Sequence, residues 1–340
     1  MIAWSFALGL FSLFAQALQP LPQVTPPPTI GSPSAQACAR CHPKEYAAWQ
    51  DSRHAHAYDN RLFLSSFRRE PMPWCIYCHA PLPAQARAAL GTSQQRLNEP
   101  LLREGINCAI CHVRDGAILS SHAPTAAASA AHAMRYEPLL GKSEFCGACH
   151  QFNFPHQAEP FRYGATPMQN TLSEWQKTTR GMECQECHMP RGAHRFPGGH
   201  DAELLRDRLS LALTRSRGNI ITVALRARGI GHNFPTGDPF RRLRLELCDE
   251  AACDEPALVL LFRRTFVHTK AGWELDHDTT LPPPGPSGES LRTVSIELPA
   301  ELRAAAPIHY RLSYAYAAPS TEDDLRPEER AVELIRGQLQ

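Results

Sequence analysis

Apolar and polar residues alternate with a period of two in several stretches of the second half of the chain. Ile308, Tyr310, Leu312, Tyr314 and Tyr316 are separated by His309, Arg311, Ser313 and Ala315, and Val294, Ile296 and Leu298 by Ser295 and Glu297. Leu243, Leu245 and Leu247 alternate with Arg244 and Glu246, and Ile221, Val223 and Leu225 repeat the pattern. Successive side chains of a strand point to opposite faces, so these runs predict half-buried strands. Leu258 to Val267 is more continuously apolar and predicts a more deeply buried strand. Gly and Pro turns between the runs predict a small antiparallel β-sandwich over 206–320. The tail, 321–340, is expected to be helical from Pro327 to Leu339.

The first half has no such periodicity. Pro43 suits the first turn of a helix, and Lys44 to Tyr58 continues in helix formers. Ala123 to Ala133 is Ala-rich, either a helix or a surface loop. The rest of 35–205 is expected to consist of short helices and loops, which makes the fold class α+β. At the N-terminus, Ile2 to Leu18 is apolar and is followed by a Pro-rich stretch reaching Pro33. Ala15-Gln16-Ala17 resembles a signal-peptidase site, so 1–17 is expected to be a signal peptide and 18–34 an extended linker. No Lys or Arg lies near Met1, a departure from the usual signal pattern. The alternative is a membrane anchor, but the run is short against the roughly 20 residues a spanning helix needs.

A chain of 340 residues is enough for about two domains. Its net charge of +1 gives no case for nucleic acid. The segment from Ser34 to His200 holds 17 of the 35 Lys and Arg but 13 of the 34 Asp and Glu, so that half is the basic one. What changes the picture is cysteine. Ten of the twelve fall in five copies of one pentapeptide: Cys38-Ala-Arg-Cys41-His42, Cys75-Ile-Tyr-Cys78-His79, Cys108-Ala-Ile-Cys111-His112, Cys146-Gly-Ala-Cys149-His150 and Cys184-Gln-Glu-Cys187-His188. Cys-x-x-Cys-His is the attachment signature of c-type haem: two thiols bond to the porphyrin edge and the adjacent His ligates iron. A zinc ribbon uses two Cys pairs per metal, so five pairs leave one over, and it gives no reason for the His. A thioredoxin-like pair occurs once, on a βαβ unit. Five covalently bound haems c, stacked in a mostly α/loop domain over 35–205, are therefore expected, with the basic excess serving haem propionates through Arg forks. Such attachment in bacteria takes place outside the cytoplasm, so the protein is expected to be exported, to the periplasm or the outer cell surface. The two remaining cysteines, Cys248 and Cys253, flank a hairpin turn and are expected to form a disulfide, two free thiols being the alternative.

Eleven of the sixteen histidines remain to supply sixth ligands. A haem with two axial His suits electron transfer, whereas one with an open position can bind substrate. Here the chain resembles a known family. Trp49-x-x-Ser52-x-His54-Ala55, Phe145-Cys146-Gly-Ala-Cys149-His150-Gln151-Phe152-Asn153 and Cys184-Gln-Glu-Cys187-His188-Met189-Pro190 are similar to segments of the tetrahaem cytochrome of ammonia oxidisers and its multihaem relatives. Gly198-Gly199-His200-Asp201 and Gly231-His232-Asn233-Phe234-Pro235-Thr236-Gly237 resemble segments of exported pentahaem cytochromes with a C-terminal β domain. The resemblance, over about Ala35 to Pro239, implies stacked haems whose irons are completed by His from remote segments.

Carried over, it makes His54 the first distal candidate, followed by His232, His200, His132 and His194, with His122 and His156 behind them. His194 and His200 are close enough for one to ligate while the other contacts a propionate. His56 is expected at the surface or on a propionate, and His268, His277 and His309 in solvent. Met168, Met182 and Met189 are the alternative sixth ligands. The expected function is electron transfer through mostly bis-His haems between redox partners, which are other redox proteins or cytochromes, including membrane-associated ones. The alternatives are a reductase or oxidase of a small nitrogen or sulfur compound at one open haem, and a subunit that self-associates into a conductive filament or complex. Pentahaem nitrite reductases commonly carry Lys at the active haem, and all five motifs here end in His.

Overall fold

The computed structural model describes residues 24–158, 161–178, 181–216, 218–285, 287–318 and 323–340. The expected signal peptide, 1–17, and the first part of the linker lie outside the described residues. Among the described residues, no helix is long and apolar enough to cross a membrane.

Short helices dominate the first half, and four of the five Cys-x-x-Cys-His units fall on one. Helices Pro73–His79, Cys108–His112, Ser143–His150 and Cys184–His188 all end on the motif His, while the first motif joins helix Ala35–Ala39 to helix Pro43–Gln50. Residues three apart share a helix face, so both thiols of a unit face the same way. Local caps start these helices: the side-chain oxygens of Ser34 and Asn107 accept from Gln36 N and Ala109 N. The helix expected over Lys44 to Tyr58 stops at Gln50. Ser52 is buried with its Oγ accepting from Ala55 N at 3.3 Å, and Asn60 Oδ1 caps the next helix, Arg61–Arg69, through Phe63 N at 2.8 Å. Such side chains compete with helical bonding, and the resulting turn brings His54 inward. The Ala-rich stretch forms one short helix, Ala126–Ala131.

Five strands unforeseen in the sequence lie in this half. β1 (Val113–Arg114), β2 (Ala117–Ser120) and β3 (Met134–Tyr136) make a small mixed sheet, and β4 (Gln151–Ala158) pairs with β5 (Phe161–Asn170) in an irregular hairpin. The described part of the linker is docked on the protein: Thr25 O accepts from Gly116 N, and Glu104 accepts from Ser34 Oγ and Ala35 N.

The second half holds the sandwich. β6 (Leu209–Arg215), β7 (Ile220–Arg228) and β12 (Glu289–Glu297) form one sheet in the order β12-β7-β6. β8 (Arg242–Cys248), β9 (Leu258–Phe262), β13 (Ile308–Ala315) and β14 (Ala331–Leu339) form the other in the order β14-β13-β8-β9. All pairings in both sheets are antiparallel. The inward residues of the predicted alternation, Ile221, Val223, Leu225, Leu243, Leu245, Leu247, Leu312 and Tyr314, make one core between the sheets. Each such side chain contributes about 1.5–3 kcal/mol. The stretch from Leu258 to Val267 is two elements, β9 and the start of β10 (Arg264–Thr269), which pairs with β11 (Gly272–Asp278) as a separate hairpin. Cys248 and Cys253 form the expected disulfide, with Cα atoms 5.4 Å apart.

The tail corrects the expectation of a helix. Only Pro327–Arg330 is helical, and Ala331–Leu339 is strand β14 against β13. The two-residue alternation was hidden by a bulge: Leu312 pairs with Ile335 and Ser313 with Glu333, so Leu334 is an extra residue, and it is buried. The expected boundary at 205/206 falls within helix Ala202–Arg208, whose Leu205 joins the sandwich core. Further contacts tie the halves together. Asp324 accepts from Ser65 Oγ at 2.6 Å and Arg69 Nη2 at 2.7 Å. Phe154 of β4 packs edge-on against Phe266 of β10, and Arg264 donates to Met168 O and Gly237 O.

Candidate haem-binding centre

One internal cavity of about 2620 Å³ runs along the first half and up to the sandwich. Ordinary ligand sites are about 300–1,000 Å³, so this one has room for several large groups. All five motif histidines line it, as do nine of the ten motif cysteines; Cys75 packs behind it, against the cluster of Tyr58, Phe67 and Ile76. Burial pushes the Cys111 thiol up to about 11 and the Cys75 thiol up to about 12, so both carry their protons at neutral pH.

The imidazoles are oriented by backbone carbonyls. Nδ1 of His79 meets Ala57 O at 2.6 Å, that of His112 meets Leu119 O at 3.0 Å, that of His188 meets Pro197 O at 2.6 Å and that of His232 meets Asn233 O at 2.7 Å. A carbonyl only accepts, so Nδ1 carries the hydrogen and the lone pair on Nε2 is free for a metal. Burial, reinforced by neighbouring His and Arg, lowers His54 to about 3 and His150 and His232 to about 4. These rings are therefore neutral at pH 7, the form a metal requires.

Three motif histidines each face a histidine from a distant segment. His150 faces His54 with ring centres 6.3 Å apart, His112 faces His194 at 6.0 Å, and His188 faces His232 at 6.3 Å. A bond of about 2 Å from each imidazole nitrogen to a first-row metal, with roughly 1.1 Å more from that nitrogen to the centre of a ring of about 1.35 Å bonds, separates two axial imidazoles by about 6 Å. The gaps thus fit one iron each, and the cavity around them fits porphyrin. His232 gets there from the loop after β7, pinned by the paired backbone bonds of Phe234 and Leu281.

The other expected ligands are placed differently. His200 lines the cavity with its ring stacked on Tyr316 at 4.1 Å, beside the end of β13. His132 lines the cavity with its Nδ1 buried and without a hydrogen-bond partner, and no ring contact joins it to a motif histidine. His79 stacks face to face on Phe63, ring centres 3.9 Å apart. His56 is held at the surface by Asp59, as expected. His156 packs at the β10–β11 turn, where a Cβ on Gly272 would meet its Nδ1 at 2.9 Å.

The motifs are also near one another. The Cys38 thiol is a close neighbour of Cys108, Cys146 of Cys184, and Cys78 of Cys149. Phe196 touches both His54, at 4.3 Å, and His194, at 6.0 Å. The attachment sites therefore follow the order first, third, fourth, fifth, with the second beside the fourth. Three contributing residues carried no sequence signal. Phe196 bridges two ring pairs, and Arg241 lies between two of them. Glu174, only 2% exposed, accepts from Thr236 Oγ1 at 2.6 Å and so holds the loop that carries His232.

Residues 37–113 match the family described as "Cytochrome c554 and c-prime". No curated protein matches the chain. Among solved structures, it is similar to a penta-heme cytochrome c552 from Thermochromatium tepidum, with a TM-score of 0.68 and 22% identity over 90% of this chain and 98% of that one. At that identity the likeness is one of fold, and it extends through the mixed helical and β architecture of both halves. The matched segment and the shared fold are those of multihaem c-type cytochromes.

Proposed function

We propose that this chain, a multihaem c-type cytochrome, is an exported pentahaem protein that passes electrons between redox partner proteins, working in the periplasm or at the outer cell surface. Haem supplies one-electron redox chemistry when bound. The ten motif cysteines would hold five such groups, with His42, His79, His112, His150 and His188 ligating their irons and His54, His194 and His232 completing the fourth, third and fifth. The observation that carries this reading is the set of three His–His gaps of 6.0–6.3 Å, each closed by a residue from a remote loop. Two imidazoles so placed would keep a site closed to substrate, and the contiguous order of attachment sites suits a carrier that takes electrons in at one end and delivers them at the other. His132 is the remaining candidate for the first iron, since its orphaned Nδ1 lies on the same cavity.

A second reading is favoured by His79. Its ring is anchored by Ala57 O and flanked by Phe63, and none of the three distal histidines faces it. An open iron at the second site would make the protein a reductase or oxidase of a small nitrogen or sulfur compound. Pyridine haemochrome analysis with low-temperature EPR of the ferric protein separates the two. Five haems, all low-spin and inert to carbon monoxide when reduced, support the carrier. A high-spin signal from about one haem in five moves the function to the second site. A chain without covalent haem refutes both.

A further inference from the structure

The loop after β7, the Gly198-Gly199-His200 turn and the end of β13 converge on Arg241. Its side chain is half-buried and opens on the cavity, beside the His54–His150 and His188–His232 pairs. Two glycines make room for it. A Cβ on Gly199 would meet Tyr314 Oη at 2.9 Å and Arg241 Nη1 at 3.3 Å, and one on Gly237, where φ is +84°, would lie 3.6 Å from Nη1. Tyr314 hydrogen-bonds the guanidinium, Tyr314 and Tyr316 pack ring to ring at 5.2 Å, and His200 stacks on Tyr316. Arg53, from the turn that carries His54, lines the same cavity, near enough to Arg241 that each feels the other's charge.

Two guanidiniums share this corner with the half-buried carboxylate of Asp238, whose Oδ1 is engaged by Phe240 N at 2.8 Å and whose charge Arg264 also feels. Asp59 and Glu329 also act on Arg53, and Arg206 lies near Tyr316. Like charges in a region of low dielectric repel strongly unless a counter-charge joins them. The forked donors of Arg match a carboxylate or small oxyanion.

From this cradle we infer that half-buried Arg241 and the more exposed Arg53 form an anion-binding site on the cavity wall between the fourth and fifth haem positions, specific for a carboxylate-type group. This rests on the haem reading above. The carboxylate has two possible sources, a propionate of one of those two haems or a free small anion entering the cavity. In either case Arg241 is a positioning residue: it seats an anionic group beside two ligand pairs, and its own positive charge favours reduction at those two sites.

The test uses the haem-loaded full chain and its Arg241→Gln, Arg241→Lys and Arg53→Gln variants, with haem content checked first and potentials read by spectroelectrochemical titration. If the anion is a propionate, Arg241→Gln shifts two of the five potentials to more negative values, Arg241→Lys largely restores them, and the wild-type spectrum ignores added sodium acetate or sodium nitrite. If the anion is free, acetate or nitrite shifts the wild-type spectrum saturably and Arg241→Gln abolishes the response. Fully loaded Arg241→Gln with unmoved potentials and no anion response in the wild type overturns the site while leaving the haem reading intact. Should Arg241→Gln fail to load, Arg53→Gln faces the same criteria. A wild-type protein without covalent haem defeats both readings.

Discussion

Replacing Glu174 by alanine tests whether the loop that carries His232 is held from below. The Glu174 carboxylate, on helix Thr171–Gln176, accepts from Thr236 Oγ1 at 2.6 Å and from the backbone N–H of Asn233. Thr236 in turn meets Thr171 Oγ1 at 2.9 Å, and Asn233 O takes the Nδ1 hydrogen of His232. Burial raises the Glu174 pKa, and these donors together with nearby Arg264 oppose that rise. Alanine takes the carboxylate away from two half-buried donors and leaves Thr236 Oγ1 only Thr171 Oγ1 as a partner. Hydrogen bonds to a charged group are each worth about 1.5–3 kcal/mol, and water entering the space left behind reduces the loss, so the loop is loosened by about 3 kcal/mol. At roughly 1.4 kcal/mol per factor of ten, the opened state of the loop becomes on the order of a hundred-fold more populated. Amide hydrogen exchange of peptides covering 230–238 should accelerate by that factor, and a high-spin EPR signal from the fifth site should appear. Glu174→Gln keeps one acceptor oxygen and should give about a tenfold change. Unchanged exchange over 230–238 in Glu174→Ala would refute the argument, because the carboxylate would then not be what fixes the loop.

Two further outcomes follow from packing and charge. Leu245 is fully buried between the two sheets, so Leu245→Ala should cost about 2–5 kcal/mol, seen as a lower denaturant midpoint at unchanged slope. Glu329 accepts from Arg326 N at 2.9 Å and Arg326 Nη2 at 3.1 Å, which hold its carboxyl down at about 2 against an ordinary 4.5. A depressed carboxyl contributes its stability above the ordinary value and loses it as pH falls toward the depressed one. The attachment of Pro327–Arg330 should therefore weaken between about pH 4.5 and 2 and not at neutral pH, and Arg326→Ala should flatten that acid step in exchange measurements.

The strands of the sandwich were legible because one face of each is buried against the other sheet, which writes a period of two into β7, β8, β12 and β13. β14 was not, because the bulge at Leu334 shifts the phase in a segment rich in helix formers. The motif cysteines and histidines were legible because thioether attachment fixes their spacing within five residues. His54, His194 and His232 could be proposed one at a time, but not matched to partners, since each meets a motif histidine through the tertiary fold: 54 with 150, 194 with 112, 232 with 188. His200 shows what local context leaves out: Gly199, where a Cβ would meet Tyr314 Oη at 2.9 Å, lets the turn lie against Tyr314 and Arg241. Glu174 and Arg241 belong to no motif at all; their roles come from being buried beside loops that are distant in sequence.

The two halves differ in what fills them, and this explains why they come as one chain. The sandwich has a continuous apolar core of nineteen buried residues, whereas the first half has two small clusters, of eight and three, around a cavity of about 2620 Å³. A region whose centre is cavity cannot close on side chains alone; it needs the porphyrins as core and a rigid neighbour to fix the remote ligands. The sandwich is that neighbour. It supplies His232 from the loop after β7 and Arg241 just before β8, with Tyr314 and Tyr316 at the end of β13, all anchored in a core that does not depend on any bound group. Ligand placement at the fifth site should then survive loss of the others, while the first and third sites, framed by the small sheet β1-β2-β3 and the docked segment 24–34, should be the first to loosen when haem is missing.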